Sequence, residues 1–349
     1  MVSFGHNEMD FSCEIDFYNT LGVIMVSFLF RRVGSIEICP DECFPKGCTI
    51  LPLRMSMQAV YKKRWLTLWL AGPQLLLLFL FFYLPIFKSI EWSFTLQAPF
   101  GGQSVFVGLD NYREVFSDPE FYRSFWLTIK FMVIGSSLSV LVPLVLAIAV
   151  DRKIKLSRPA RNFLVWPKAV AGASIGVAFA FIFNPFVGVL SFLNDIHPDL
   201  WQPGMNGNHA FTMLIIAHVW GGIPFNFIIF LGGLQAIPQS LTHSAAMDGA
   251  GPWRRIIDIY LPLLTPQLFL SLVLEVTDSV VSAFALIASM TQGGPGGSTK
   301  LLVYKIYEDG FRGLDLSGAS TQTVILTALV LSLALVQFLF LEKKVKYER

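Results

Sequence analysis

The chain has 349 residues, of which 54% are hydrophobic and 14% charged, with a formal net charge of +2. Soluble domains carry about a quarter charged residues, so this composition excludes a water-soluble globule, and lipid must cover part of an apolar surface that includes 32 Phe and 8 Trp. The near-neutral balance offers nothing to nucleic acid.

In chain order, residues 1–54 read as an N-terminal tail or as a translation start placed too early. All four cysteines (Cys13, Cys39, Cys43 and Cys48) fall there, in a spacing that matches no zinc pattern, so no metal site is expected. Leu21–Phe30 is apolar but too short to span a bilayer. Beyond it, segments near Trp65–Phe87, Trp126–Val150, Asn162–Phe183, Phe211–Gln235, Leu263–Met290 and Thr321–Leu341 are each long and apolar enough for a spanning helix. The expected fold is therefore all-α, a polytopic membrane protein of six transmembrane helices. Between the first two spans, Ser117-Asp118-Pro119-Glu120 reads as a helix start.

Basic residues gather before the first span, in the second connection (Arg152, Lys153, Lys155, Arg158, Arg161), in the fourth (Arg254, Arg255) and in the tail (Lys343, Lys344, Lys346). The third connection, 184–210, has none. Positive charge stays on the cytoplasmic side during insertion, so both termini are expected in the cytoplasm.

The fourth connection, Ile237–Pro262, carries the most information. Pro238 suits a first helical turn, small residues follow, and Gly249-Ala250-Gly251 can stop the helix through a left-handed cap. Pro252 opens a second short helix, which Leu261-Pro262 is expected to end. The result is a helix–turn–helix too polar for lipid, whose Ala and Gly surface allows close approach by another protein.

This connection resembles the E-A-A-x-x-x-G…I-x-L-P loop of permease subunits of binding-protein-dependent ABC importers, in the carbohydrate branch. Ala245, Ala246, Asp248, Gly249, Ala250, Ile259, Leu261 and Pro262 stand at matching positions, whereas His243 replaces the usual Glu and Ser244 the first Ala. V-G-L-D-N-Y at Val107–Tyr112 and Thr291, Gly293, Gly294 and Pro295 match two further signatures. Leu302–Leu316 and Val336–Tyr347 are most similar to the first permease subunits of sn-glycerol-3-phosphate importers. The resemblance covers the chain from about Arg64 onward. It implies a type I ABC importer permease fold for residues 55–349, in the bacterial cytoplasmic (inner) membrane. It also implies a coupling loop at 237–262 that docks on an ATPase. The implied partners are a second permease subunit, two cytoplasmic ATPase subunits and an external solute-binding protein. ATP and Mg are used by the ATPase partners, with no cofactor bound by this chain, and alternating access moves sn-glycerol 3-phosphate or a related sugar. No G-x-x-x-x-G-K-[ST] phosphate loop occurs, so the chain itself is not expected to hydrolyse ATP.

Glu275 and Asp278 lie three residues apart inside the fifth span and are expected on one face. Glu275 falls roughly 20 Å beyond Pro262, past the midplane. A charge there costs at least about 2.5 kcal/mol, so it should face the bundle interior or water. With Ser282, these residues form the candidate translocation path. The competing reading is pairing with polar groups of another subunit. Lys168 reads as a side chain that reaches back to the cytoplasmic interface, with an anion-contacting role as the alternative, and His197, His209 and His218 read as incidental. Two other function classes remain: an ion-coupled secondary transporter, which explains the acidic pair but not the docking loop, and a membrane-embedded enzyme, which lacks a convergent catalytic cluster.

Overall fold

The computed structural model describes residues 64–98, 102, 104–151, 157–197 and 200–341. The expectations for residues 1–54, for the basic run at 152–155 and for the tail after 341 lie outside the described residues.

The first helical run is α1 (Arg64–Leu78), a π turn at Phe79–Tyr83, and α2 (Leu84–Ser93). It extends to Ser93, beyond the Phe87 expected from sequence. The π turn carries the helix past Pro85: the Leu84 N–H bonds back to the Phe79 carbonyl, and the widened turn takes up the proline, which donates no hydrogen bond. Leu75, Leu77, Phe79 and Phe81 along this run are exposed, a face for lipid or another protein. A two-stranded antiparallel pair, β1 (Thr95–Leu96) with β2 (Val105–Phe106), pairs Thr95 with Phe106.

Helix α3 (Asp110–Ser117), which the sequence reading did not anticipate, closes the loop. The V-G-L-D-N-Y residues explain it. Gly108 takes φ +63, buried Asn111 donates to the carbonyls of Ser93 (3.0 Å) and Thr95 (3.1 Å), and the Tyr112 hydroxyl reaches Ser93 Oγ. The signature pins the end of the first span. Helix α4 (Pro119–Asp151) then starts as expected, with Asp118 Oδ1 accepting the Glu120 N–H at 2.9 Å.

The third expected span is not straight. Helix α5 (Ser157–Val165) runs into a 3-10 turn (Trp166–Ala169), and α6 (Gly172–Ile182) leaves at 110°. Pro167 sits in the tight turn, and Val170 and Ala171 are both extended, so the hydrogen-bond ladder ends there. Among the described residues, five helices are long and apolar enough to cross a membrane, or six if this bent pair counts as one span. After α7 (Phe192–Ile196) come α8 (Gly207–Ala236), α9 (Gln239–Met247) and α10 (Pro252–Arg255). Helix α10 continues through a second π turn (Ile256–Tyr260) into α11 (Leu261–Leu263). Helix α12 (Thr265–Met290), α13 (Leu302–Tyr307) with a π turn at Glu308–Arg312, and α14 (Leu316–Leu341) complete the chain.

Pro262 therefore does not end the second hairpin helix. As at Pro85, a π turn precedes a Leu-Pro pair and admits the ring. The break falls at Leu264, where φ is −84 and ψ 1. Pro266 has no N–H for the Pro262 carbonyl, and the Thr265 hydroxyl donates to that oxygen instead, at 2.6 Å.

Helices α4, α8 and α12 pack on one another, α6 lies against α8 and α12, and α14 lies against α2. Lipid tails are as apolar as leucine, so close contact and hydrogen bonds must hold these helices together. Gly233 supplies such a contact: a Cβ there would meet Leu264 Cδ2 at 2.7 Å and Gln267 carbons at 3.0 Å. The end of the bundle opposite the hairpin is closed by a turn in which Gly293 (φ +80) and Gly297 (φ +75) take left-handed conformations.

That same end carries an ionic clamp. The buried ammonium of Lys305 meets Asp118 Oδ2 at 3.0 Å and Asp309 Oδ2 at 2.8 Å, and Asp309 also accepts from Gln322. The Leu302 N–H donates to Thr128 Oγ1 at 2.8 Å. Burial by itself would lower the lysine pKa, but hydrogen bonds to Asp309 and Asp118 outweigh it and the net shift is upward. Burial pushes Asp118 up, and the bonds from Lys305 and the Glu120 N–H outweigh it, so its net shift is downward. The clamp's contribution is thus complete between the ordinary aspartate and lysine ranges. It is lost as pH falls through the depressed Asp118 value or rises through the elevated Lys305 value. Replacing Lys305 with Met should cost about 2 kcal/mol, below the roughly 3–5 kcal/mol of fully buried pairs because the aspartates keep some water. Thermal unfolding in lipid nanodiscs at neutral pH measures this, and an unchanged midpoint would show that the clamp is not stabilising.

Candidate functional site

The 110° bend leaves a cleft of ≈ 290 Å³ between the 3-10 turn, α6, α8 and α12. Lys168 borders it on the turn, His218 and Gly222 on α8, and Asp278, Val281 and Ser282 on α12. Lys168 is exposed, stands at the break and lines the cleft, its Nζ 5.9 Å from the Phe225 ring centre. Among the described residues it has no carboxylate within 4.0 Å.

The candidate path residues divide. Asp278 is exposed and Ser282 half-buried, and both line the cleft. Glu275 is 4% exposed and sits behind that wall, inside the junction of α4, α8 and α12. One helix face thus serves two environments. The junction follows from Pro143. Its missing N–H leaves the Ser139 carbonyl unpaired within α4, and Asn226 Nδ2 on α8 fills that vacancy at 3.0 Å. The same Nδ2 donates to Glu275 Oε1 at 2.6 Å. His218, read from sequence as incidental, belongs here too: Nε2 lies 3.8 Å from Glu275 Oε2, and Nδ1 lies 3.2 Å from Ser282 Oγ. It bridges the buried acid to the cleft wall. Its signal in the sequence was position alone: an ionisable residue in the middle of an apolar helix. His209 stacks on Trp201 and accepts the Gln202 N–H, a role in packing.

Chemically, the cleft offers one ammonium, one carboxylate, an imidazole and a hydroxyl around a small volume. It can solvate a polar solute through its oxygens.

At the other functional element, α9 ends in a Schellman cap. The Ala250 N–H bonds to the Ala245 carbonyl (2.9 Å), the Gly249 N–H to that of Ala246 (3.2 Å), and Gly249 has φ +76. Leu261 and Tyr260 pack against the core formed by Leu144, Phe230, Leu234 and Leu264, which anchors the hairpin. Ala245, Ala250 and Ile259 are half-buried, whereas Ala246, Asp248, Gly249 and Pro262 are exposed. Beside them Met247 is 88% and Trp253 77% exposed, with Ile257 also bare. These apolar side chains are bare on an otherwise polar hairpin between α8 and α12.

Residues 61–347 match the family of binding-protein-dependent transport system inner membrane components. The chain belongs to this family. It is 38% identical over 293 residues to the sn-glycerol-3-phosphate transport system permease protein UgpA of Pectobacterium atrosepticum, spanning 84% of this chain and 99% of that protein. To the UgpA of Brucella abortus it is 41% identical over 292 residues, spanning 83% and 100%. A crystal structure of a bacterial ABC transporter that imports the acidic polysaccharide alginate has a similar chain. The TM-score is 0.71 at 19% identity, covering 81% of this chain and 96% of that one. The same transporter with an alginate pentasaccharide-bound periplasmic protein gives 0.70 at 18% identity, covering 82% and 96%. The fold is that of a type I ABC importer permease, a multi-pass membrane transport component of an ATP-driven importer. The ion-coupled and enzymatic readings give way to it.

In this permease, Asn226→Leu should leave the Ser139 carbonyl and Glu275 without their donor. The loss is roughly 1–3 kcal/mol for each group left unpaired, read as a lower unfolding midpoint of the purified permease complex. Asp278→Asn, in the exposed wall, should leave that midpoint unchanged and alter the KM of uptake instead. Equal effects of the two substitutions on stability would contradict the division between junction and cleft.

Proposed function

We propose that this permease pairs with a second permease chain, takes sn-glycerol 3-phosphate or a related sugar from an external binding protein, and passes it through the cleft lined by Asp278, Ser282 and Lys168. Two cytoplasmic ATPase subunits, which use ATP and Mg, drive the cycle by docking on the 237–262 hairpin, and both termini lie in the cytoplasm. The hairpin carries the reading. Its Schellman turn fixes the angle between α9 and α10, its base is anchored by Tyr260 and Leu261, and its tip holds Met247 and Trp253 bare. An apolar patch framed by polar residues at such a place fits a protein partner. Closure of the partners would press on a rigid element continuous, through α11, with α12 and the cleft wall. Solute release then follows from a change of shape, with no covalent chemistry.

Glycerol 3-phosphate is favoured by identity of about 40% along nearly the whole length of relatives that carry that name. Lys168 gives its phosphate a cation in the cleft. A neutral sugar is the second reading, favoured by Asp278, whose carboxylate accepts from hydroxyls and repels phosphate.

Co-purification with an ATPase subunit and ATP-dependent uptake by reconstituted vesicles test the proposal. Gly249→Val forces a β-branched residue into the left-handed region at a cost of about 1–3 kcal/mol. It should lower both ATPase retention and uptake while the bundle stays folded. Retention and uptake equal to those of the unsubstituted complex would remove the hairpin from the mechanism.

A further inference from the structure

At the end of the bundle opposite the hairpin, a second cavity of ≈ 300 Å³ opens between α4, the start of α8 and the turn after α12. Arg123 and Lys130 line it from α4. They are seven residues apart and so fall on one stripe of the helix. Asn206 and Asn208 line it from the start of α8, and Ser298 from the glycine turn. No carboxylate is among the lining residues.

The charges at this end set the pair apart. Lys88, Arg113, Lys300, Lys305 and Arg312 each meet a carboxylate within 4.0 Å. Among the described residues, Arg123 and Lys130 do not. Glu120, one turn before Arg123, is turned toward Lys300 at 3.9 Å. Lys130 has only the face of Phe211, 4.7 Å from its Nζ. Two exposed cations thus line one cavity from a span otherwise rich in apolar residues, with no counter-charge among the described residues.

The other wall adds donors. The N-terminus of α8, a helix of 30 residues, lies at the cavity with the positive end of its dipole; Asn206 Oδ1 caps it by accepting the Asn208 N–H at 2.9 Å, which leaves the Asn206 Nδ2 and the Asn208 side chain as donors. Ser298 Oγ is buried and has no hydrogen-bond partner. A guanidinium fork, an ammonium and two amides therefore surround one space, with the buried Ser298 hydroxyl behind its wall.

The geometry points to this cavity as a binding site for a phosphate-class oxyanion, separate from the translocation cleft. Its tetrahedral oxygens accept from Arg123 and Lys130 on one side and from the side-chain amides of Asn206 and Asn208 on the other. The anion is either a soluble phosphate or the head group of an anionic phospholipid, and the chemistry of recognition is common to both. The site does not depend on which solute the permease carries.

The test uses the complete importer in nanodiscs of phosphatidylcholine, titrated with inorganic phosphate and followed by calorimetry. In parallel, the importer is purified from vesicles containing phosphatidylglycerol, and the retained lipid is counted by native mass spectrometry. The variant Arg123→Gln/Lys130→Gln should weaken binding of one probe by at least about tenfold, the loss of two charge-assisted contacts. Arg123→Lys/Lys130→Arg, which keeps both charges, should retain most of the binding. Arg113→Gln, which removes a paired cation, should change nothing, and an unaltered unfolding midpoint shows that the double variant is folded. Phosphate binding lost in the variant identifies a soluble ligand; phosphatidylglycerol retention lost in the variant identifies a head group. If neither probe distinguishes the double variant from the unsubstituted importer, the proposal is overturned, while vesicle uptake that persists leaves the transport reading intact.

Discussion

Every break in a membrane helix leaves a polar group that lipid cannot satisfy, and the arrangement of this permease is governed by how those groups are paired. Pro143 removes the partner of the Ser139 carbonyl, and Asn226 replaces it from the neighbouring helix. The same amide holds Glu275, which brings α12 into the junction and sets His218 between the buried acid and Ser282. Each unpaired group in hydrocarbon costs several kcal/mol, so the three helices have one favourable way to meet. The cleft lies immediately outside that junction because α6, turned through 110°, cannot close over it.

The same rule operates toward the hairpin. Pro85 and Pro262 each follow a π turn, and Thr265 donates to the carbonyl that Pro266 leaves free. Helix α12 is thereby joined to the 237–262 hairpin through a short break at Leu264, whose N–H bonds to the Tyr260 carbonyl, rather than through a long loop. The clamp of Lys305 with Asp118 and Asp309 closes the far end, which leaves the cleft and this break as the places where the bundle can rearrange.

Much of this was legible in the sequence. Length and apolar composition marked the spans, and the Gly249 stop, the Pro252 restart and the Asp118 cap follow from local backbone chemistry. Other features depend on contacts across the chain. The bend within 162–183 has the composition of a span, and hydropathy cannot distinguish a broken helix from a straight one. Helix α3 and the role of Asn111 were hidden because the V-G-L-D-N-Y residues act on the end of a different helix, at Ser93 and Thr95. Glu275 and Asp278 share a helix face by spacing, and only the packing of α4 and α8 puts one inside and the other on the cleft. His218 lies 57 residues before Glu275 in the chain, so no local pattern joined them.

The central claim is that the cleft beside the junction opens alternately to the two sides of the membrane. The most direct measurement is the labelling of Ser282→Cys, in a chain with its native cysteines replaced, by a membrane-impermeant thiol reagent added to one side of reconstituted vesicles. The account predicts that ATP, with the ATPase partners and loaded binding protein present, moves the accessibility of position 282 from one face to the other. Labelling from a single face at an unchanged rate with and without ATP would contradict it.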